Sequence, residues 1–105
     1  MQTVGINTDL GLRLGLSSDM FLDAFCWDIR PNCLCFVRLK AKPDVEDTAL
    51  YEFFRLGSKI FSPIEIWAPE KNVAVWAKKW GYEEHVDPAG TPYLSDRHLK
   101  TSSKE

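Results

Sequence analysis

The sequence lacks an excess of charge of either sign and any long apolar run. Its 13 Lys and Arg residues are offset by 15 Asp and Glu residues, for a net charge of −2. The basic residues form no stripe that would hold a phosphate backbone, so nucleic acid is not an expected partner. No apolar run approaches the ~20 residues that span a bilayer, and the N-terminus, with Asp9 and no basic segment, is unlike a signal peptide. We therefore expect a soluble, cytoplasmic protein with no membrane partner.

Cysteine and histidine are also scarce, at 3 and 2 copies. The cysteines are Cys26, Cys33 and Cys35, and the last two would lie on the same face of a strand. A zinc site built from two tight ligand pairs would need a second pair, which His85 and His98 do not provide. We predict reduced, buried cysteines and no metal site.

The length of 105 residues, with 45% hydrophobic and 27% charged residues, indicates one small globular domain. We assign residues 1–95 to this domain. Residues 96–105 form a polar C-terminal tail with too little apolar surface to offset the entropy of ordering, unless a partner holds it.

The first third of the chain gives weak local signals. Leucines alternate with other residues over 10–16, which predicts a short or irregular strand. The apolar spacing from Met20 to Phe25, after a Ser-Ser-Asp cap, favours a short helix. Residues 30–32 read as a turn, and Cys33–Ala41 as a central strand with Cys33, Cys35, Val37, Leu39 and Ala41 on one apolar face.

The later segments give stronger signals. We predict a helix over Val45–Leu56, capped by Asp44, with Ala49, Leu50, Phe53 and Phe54 as its apolar stripe and Gly57 as its stop. A strand follows over Ile60–Trp67, with Pro63 marking an edge or a bulge in its early part. The next helix starts at Pro69, buries Val73, Ala74, Ala77 and Trp80, and ends at Gly81. Strands over 82–86 and 91–94 flank a turn at 87–90.

Together these elements predict an α+β domain, α/β-like in its element order, with a single mixed, mostly antiparallel sheet flanked by two main helices. The segment from Cys33 to Val86 resembles the C-terminal half of the GNAT superfamily of N-acetyltransferases. The likeness rests on the order strand, helix, strand, helix, with a glycine-aromatic pair, Gly81-Tyr82, after the last helix. It implies acetyl-CoA as a cofactor, with Val37, Leu39, Lys40 and Lys42 as the candidate binding residues.

The sequence departs from this family at the residues that carry the chemistry. The loop that would meet the cofactor pyrophosphate has no glycine, and it carries the carboxylates Asp44, Glu46 and Asp47, which would repel phosphates. The last helix has Glu70 and Ala77 where the family usually has asparagine and the tyrosine that serves as general acid. Alanine has no proton to donate, so another residue such as Tyr51 or Tyr82 would have to take the place of that tyrosine. We therefore predict no catalytic residue and no bound cofactor.

The four tryptophans are the remaining functional signal. At helical or strand spacing such residues are usually core, but Trp76 and Trp80 lie four apart on one helix, where an exposed aromatic flank would bind protein. Trp67 is the third candidate. The expected function is that of a degenerate acetyltransferase-like domain that binds a protein or forms a homo-oligomer, as shortened relatives do in phage. If the protein is phage-encoded, its expected location is the host cytoplasm or the virion. The alternatives are an acetyl-CoA-dependent N-acetyltransferase with an atypical loop, and an unrelated small α/β interaction domain.

Overall fold

The computed structural model describes residues 2–30, 33–60 and 62–101. The described residues form six strands and four α-helices, with one 3₁₀ turn at Pro43–Val45. In chain order they are β1 Gln2–Gly5, α1 Asp9–Arg13, β2 Phe21–Arg30, β3 Cys33–Ala41, α2 Glu46–Gly57, β4 Ile64–Trp67, α3 Lys71–Lys79, β5 Glu83–Val86, β6 Pro92–Ser95 and α4 Arg97–Thr101. None of these helices is long and apolar enough to cross a membrane.

The six strands form one mixed sheet in the order β1-β2-β3-β4-β6-β5. Strands β3 and β4 are parallel and are joined through α2, whereas the other neighbours are antiparallel. The hairpin of β5 and β6 places β6 between β4 and β5. The prediction of an α+β fold with a single mixed, mostly antiparallel sheet and two main helices is confirmed.

The core lies between the sheet and the two longer helices. The Phe53 ring of α2 contacts Phe36 of β3 at 5.2 Å and its own neighbour Phe54 at 5.0 Å, both edge to face. Val73 and Ala77 of α3 complete this side and are buried. The predicted stripe of α2 is therefore confirmed, and each fully buried large side chain contributes about 1.5–3 kcal/mol of hydrophobic stabilisation.

The predictions for the first third of the chain are wrong in element type. Residues 10–13 of the strand predicted over 10–16 lie in α1, because the Thr8 hydroxyl caps the helix by accepting the Gly11 N–H at 3.0 Å. The predicted helix from Met20 to Phe25 belongs to β2 from Phe21 onward, because this segment pairs with β1 on one side and β3 on the other. Pairing between distant segments overrode the local spacing. The predicted turn falls partly on residues 31 and 32, outside the described residues.

Strand β3 has the predicted bounds and a central position, but its predicted apolar face is wrong. Phe25 pairs with Arg38 and Cys26 with Phe36, so Val37 is an extra residue that forms a β-bulge. The bulge reverses which alternate residues face the helices. Leu34 and Phe36 before it and Leu39 after it join the core cluster, whereas Val37 is exposed.

The two main helices agree with prediction to within one or two residues, but their ends differ. Asp44 lies in the 3₁₀ turn and Val45 is the N-cap of α2, so the predicted Asp44 cap is wrong. Gly57 is the last residue of α2, and an added Cβ there would lie 2.8 Å from the Ile64 side chain. Gly57 does not have a left-handed conformation, and a larger residue there would make the end of the Ile64 side chain shift.

For α3, the predicted start is wrong and the predicted stop is correct. This helix starts at Lys71, after Glu70 rather than at Pro69, and Ala74 and Trp80 are only half-buried. Gly81 has a φ of 88°, which confirms it as the stop after the helix.

Strand β4 begins after Pro63, so the better pairing of the later half of 60–67 is confirmed. It lies inside the sheet, however, and the Pro63 carbonyl accepts the Leu34 N–H at 2.9 Å. The predicted hairpin of β5 and β6 is confirmed.

The division into residues 1–95 and a polar tail missed the packing of the residues just after 95. Asp96 is buried, and Lys100 of α4 donates to the carbonyls of Gly57 at 2.8 Å and Ser62 at 2.7 Å. Hydrogen bonds and an ion pair hold this polar segment, which is why its low hydrophobicity was misleading.

Candidate functional site

A cleft opens where the parallel strands β3 and β4 separate. Their ladder ends at the pair Phe36 and Ile66, while β3 continues to Ala41. The bulge at Val37 bends β3, and Ala68, with a φ of 48°, turns the chain away after β4. Between them lies a hollow of about 180 Å³, lined by residues 37–40 and 66–70 and by Asp23. It is smaller than the roughly 300–1,000 Å³ of pockets for drug-sized ligands.

Three of the four candidate cofactor residues line this cleft. They are Val37, Leu39 and Lys40, whereas Lys42 is not among the lining residues. The two cations of the cleft are each matched by a carboxylate, with Arg38 at 3.0 Å from Asp23 and Lys40 at 3.9 Å from Glu70. The cleft therefore carries little net charge to attract an anion.

The acidic residues of the loop after β3 lie close together in the structure. Residues 43–48 line a shallow hollow of their own, which includes the carboxylates of Asp44, Glu46 and Asp47. Asn72 at the start of α3 donates to Glu46 and holds that carboxylate over the loop. A diphosphate placed here would face like charge at short range.

The cleft has no tyrosine to serve as a general acid. Ala77 is fully buried in the core, and Glu70 precedes α3 as its N-cap. Tyr82 packs edge to face on Phe54 at 5.3 Å, and burial, reinforced by the Asp96 carboxylate, raises the pKa of Tyr82 well above its usual value. Tyr51 lies on the outer side of α2 against α3. Neither tyrosine lines the cleft.

The aromatic flank lies where α2 and α3 pack together. The Tyr51 ring lies 6.4 Å from the Trp76 ring and 6.0 Å from the Trp80 ring. Lys79 places its ammonium 5.0 Å above the Trp76 ring. Tyr51 is 45% exposed and Val75, beside Trp76, is 47% exposed. We refer to Tyr51, Val75, Trp76, Lys79 and Trp80 as the aromatic surface.

Trp67 does not belong to the aromatic surface. It alternates with the core residue Ile66 and so lies on the sheet face opposite the helices. Its ring stacks on Tyr93 at 4.3 Å, and its indole N–H donates to Glu65 at 3.1 Å. Two of the three tryptophan candidates are thus brought together, and the third packs elsewhere.

Glu65 is the site residue that sequence reasoning missed. It is buried in the middle of β4, between Ile64 and Ile66, and lies in register with Cys35 of β3. A carboxylate inside a short apolar strand was the available signal, since buried charges require partners. All three cysteines are buried, as predicted.

The chain matches no protein-family model, and neither a curated protein nor a solved structure is significantly similar to it.

Proposed function

We propose that this chain is a catalytically degenerate acetyltransferase-like domain that binds another protein through the aromatic surface. The order of β3, α2, β4 and α3, with Gly81-Tyr82 after α3, is the order on which the resemblance rests. No tyrosine is among the described residues that line the cleft between the parallel strands, and the carboxylates of the neighbouring loop would repel phosphate. These two features support binding rather than acetyl transfer as the function.

The observation that carries the proposal is the partial exposure of the aromatic surface, in which Tyr51 and Val75 are exposed and Trp76 and Trp80 are half-buried. Trp76 and Trp80 pack only partly on the core, and Tyr51 lies between them with much of its ring in water. Large aromatic rings exposed together are typical of the anchors of protein interfaces, because they bury much area at low entropy cost. Lys79 adds a cation at the rim, which fits a partner with an acidic group beside an apolar one.

Alanine variants at Tyr51 and Trp76 test this proposal. A second copy of the chain is the first partner to examine, by sedimentation over a range of concentrations, followed by affinity capture. We expect Trp76→Ala and Tyr51→Ala to weaken association at least tenfold while the fold persists, since hot-spot truncations cost about 2 kcal/mol or more.

The matched control is Leu22→Ala, which removes an apolar side chain that is 53% exposed on β2. It should leave association unchanged. Association that is equally strong in wild type, Trp76→Ala and Tyr51→Ala would contradict the proposal. Complete unfolding of Trp76→Ala would instead show that this ring belongs to the core, and Tyr51→Ala would then decide.

A second candidate, binding of an acyl-CoA in the cleft, is favoured by one observation. The edge of β3 beyond Phe36 faces the hollow without a strand partner on that side among the described residues, and Val37, Leu39 and Lys40 lie there. Free main-chain groups of this kind pair with an extended, amide-bearing chain.

Calorimetry with acetyl-CoA tests this candidate. A ligand at 100 times its dissociation constant would stabilise the fold by about 2.7 kcal/mol. Asp44→Asn with Asp47→Asn should raise the affinity by removing the loop charge. The absence of any stabilisation at millimolar acetyl-CoA, in wild type and in this variant, would exclude the candidate.

A further inference from the structure

Two thiols and a carboxylate meet on the sheet face opposite α2 and α3. Cys33 and Cys35 lie two apart on β3, and Glu65 is the register partner of Cys35 on β4. All three side chains are buried. Cys26, the third cysteine, lies in the hydrophobic core on the other face of the sheet. The sheet therefore lies between Cys26 and the other two cysteines.

The spacing of the donor atoms fits one metal ion. The two Sγ atoms lie 3.7 Å apart, and Cys35 Sγ lies 3.5 Å from Glu65 Oε1. Two thiolates at 2.3 Å from a tetrahedral Zn²⁺ lie about 3.8 Å apart, and a thiolate and a carboxylate oxygen about 3.5 Å apart. The ligand atoms of all three residues lie within 4.8 Å of one another.

Neighbouring residues hold the carboxylate in place. The Trp67 indole N–H donates to Glu65 Oε1 at 3.1 Å, and Arg97 lies 3.6 Å from Glu65 Oε2. Hydrogen bonds of this kind fix the orientation of a ligating carboxylate. The Arg97 side chain is about half exposed, whereas the Glu65 side chain beside it is buried.

We propose that Cys33, Cys35 and Glu65 bind a zinc-class divalent ion, with a water or an external ligand in the fourth position. Thiolate sulfur selects zinc over magnesium and calcium, which prefer oxygen ligands. Three protein ligands with an open fourth position is a known arrangement for zinc. The sequence prediction of no metal site considered only ligand pairs along the chain, and Glu65 becomes a neighbour only through the parallel pairing of β3 and β4.

Zinc binds the thiolate form of cysteine, so each of the two cysteines gives up its thiol proton when it ligates the ion. The affinity for zinc therefore falls as the pH is lowered.

Titration of reduced, metal-free protein with Zn²⁺ and with Co²⁺ tests the proposal. We expect one ion per chain, release of two protons measured by calorimetry in two buffers, and thiolate-to-cobalt charge-transfer absorption with Co²⁺. Cys33→Ser, Cys35→Ser and Glu65→Gln should each weaken Zn²⁺ binding at least about 100-fold, since loss of a supporting partner alone costs 10–100-fold.

The matched control is Cys26→Ala, which removes the cysteine on the other sheet face and should bind Zn²⁺ like the wild type. Absence of the charge-transfer absorption in the wild-type protein would overturn the proposal, whether or not any variant folds. Equal weakening by Cys26→Ala and Cys33→Ser, or unchanged binding in Glu65→Gln, would also overturn it.

Discussion

The buried ion pair at the end of the chain offers the sharpest test of what holds this fold together. Lys100 Nζ lies 2.9 Å from Asp96 Oδ2, and the two side chains are only 12% and 3% exposed. The same ammonium donates to the Gly57 carbonyl at the C-terminus of α2 and to the Ser62 carbonyl. The other Asp96 oxygen accepts the Ile64 N–H at 2.7 Å. The ion pair thus joins α4 to α2 through Lys100 and to β4 through Asp96.

Lys100→Met keeps the length of the side chain and removes its charge. Loss of one partner from a buried pair costs about 3–5 kcal/mol, because the remaining charge stays buried without compensation. The partial exposure of Lys100 places the expected loss near the lower figure. A loss of about 3 kcal/mol in a domain of this size lowers Tm by roughly 12–24 °C. The variant should still fold, because domains have about 5–15 kcal/mol of stability.

Urea and thermal unfolding, followed by circular dichroism, measure this loss. Lys78→Met is the control, because Lys78 pairs at 3.5 Å with Glu84 where both are 57% exposed, and such pairs contribute about 0–1 kcal/mol. Adding Asp96→Asn to Lys100→Met should recover part of the stability by removing the unpaired charge. A loss below about 1 kcal/mol for Lys100→Met, or no recovery in the double variant, would refute the reasoning.

Two further predictions concern α1 and Tyr82. Gly11→Ala should destabilise the fold by about 1–3 kcal/mol in urea unfolding. Alanine favours helices, but its Cβ would lie 2.0 Å from the Gly5 carbonyl oxygen. The control is Leu12→Ala, at a side chain that is 50% exposed, which should change the stability little. Burial raises the pKa of Tyr82 above 10.0, so the unfolded chain releases this proton first and the free energy of unfolding falls as the pH rises above 10. Tyr82→Phe should make that fall less steep in urea titrations between pH 9 and 11, and an unchanged slope would contradict it.

The helices and the final hairpin were predictable because their signals are local. The stripe of Ala49, Leu50, Phe53 and Phe54 repeats at helical spacing, and Gly81 adopts the left-handed conformation that ends α3. Such signals act within a few residues, and the tertiary structure agrees with them. Element bounds were therefore correct to within a few residues over most of 33–95.

The first third of the chain was not predictable for the opposite reason. The leucines of 10–16 alternate, yet Thr8 caps a helix there, and Phe21–Arg30 becomes a strand through partners on both sides. The bulge at Val37 likewise depends on the register between β2 and β3. A pattern within one segment carries no information about which distant segment pairs with it.

The candidate sites show the same division. Val37, Leu39, Lys40 and Lys42 were grouped because the resemblance places its cofactor strand there, and the first three line one cleft. Trp76 and Trp80 were predicted together from their helical spacing, but Tyr51, which joins them, comes from another helix. Trp67 was grouped with them by residue type alone and lies on the other sheet face.

The sequence by itself determined the α+β class, the two main helices, the central strand β3 and the absence of a tyrosine at position 77. These follow from residue type and local spacing, which backbone geometry converts directly into helices, strands and buried stripes. Only the tertiary structure decided that Glu65 joins Cys33 and Cys35, that Tyr51 joins the tryptophans, and that Lys100 closes the end of α2. Each of these depends on the register and crossing of segments that are far apart in the chain, because chain folding alone brings their atoms within reach.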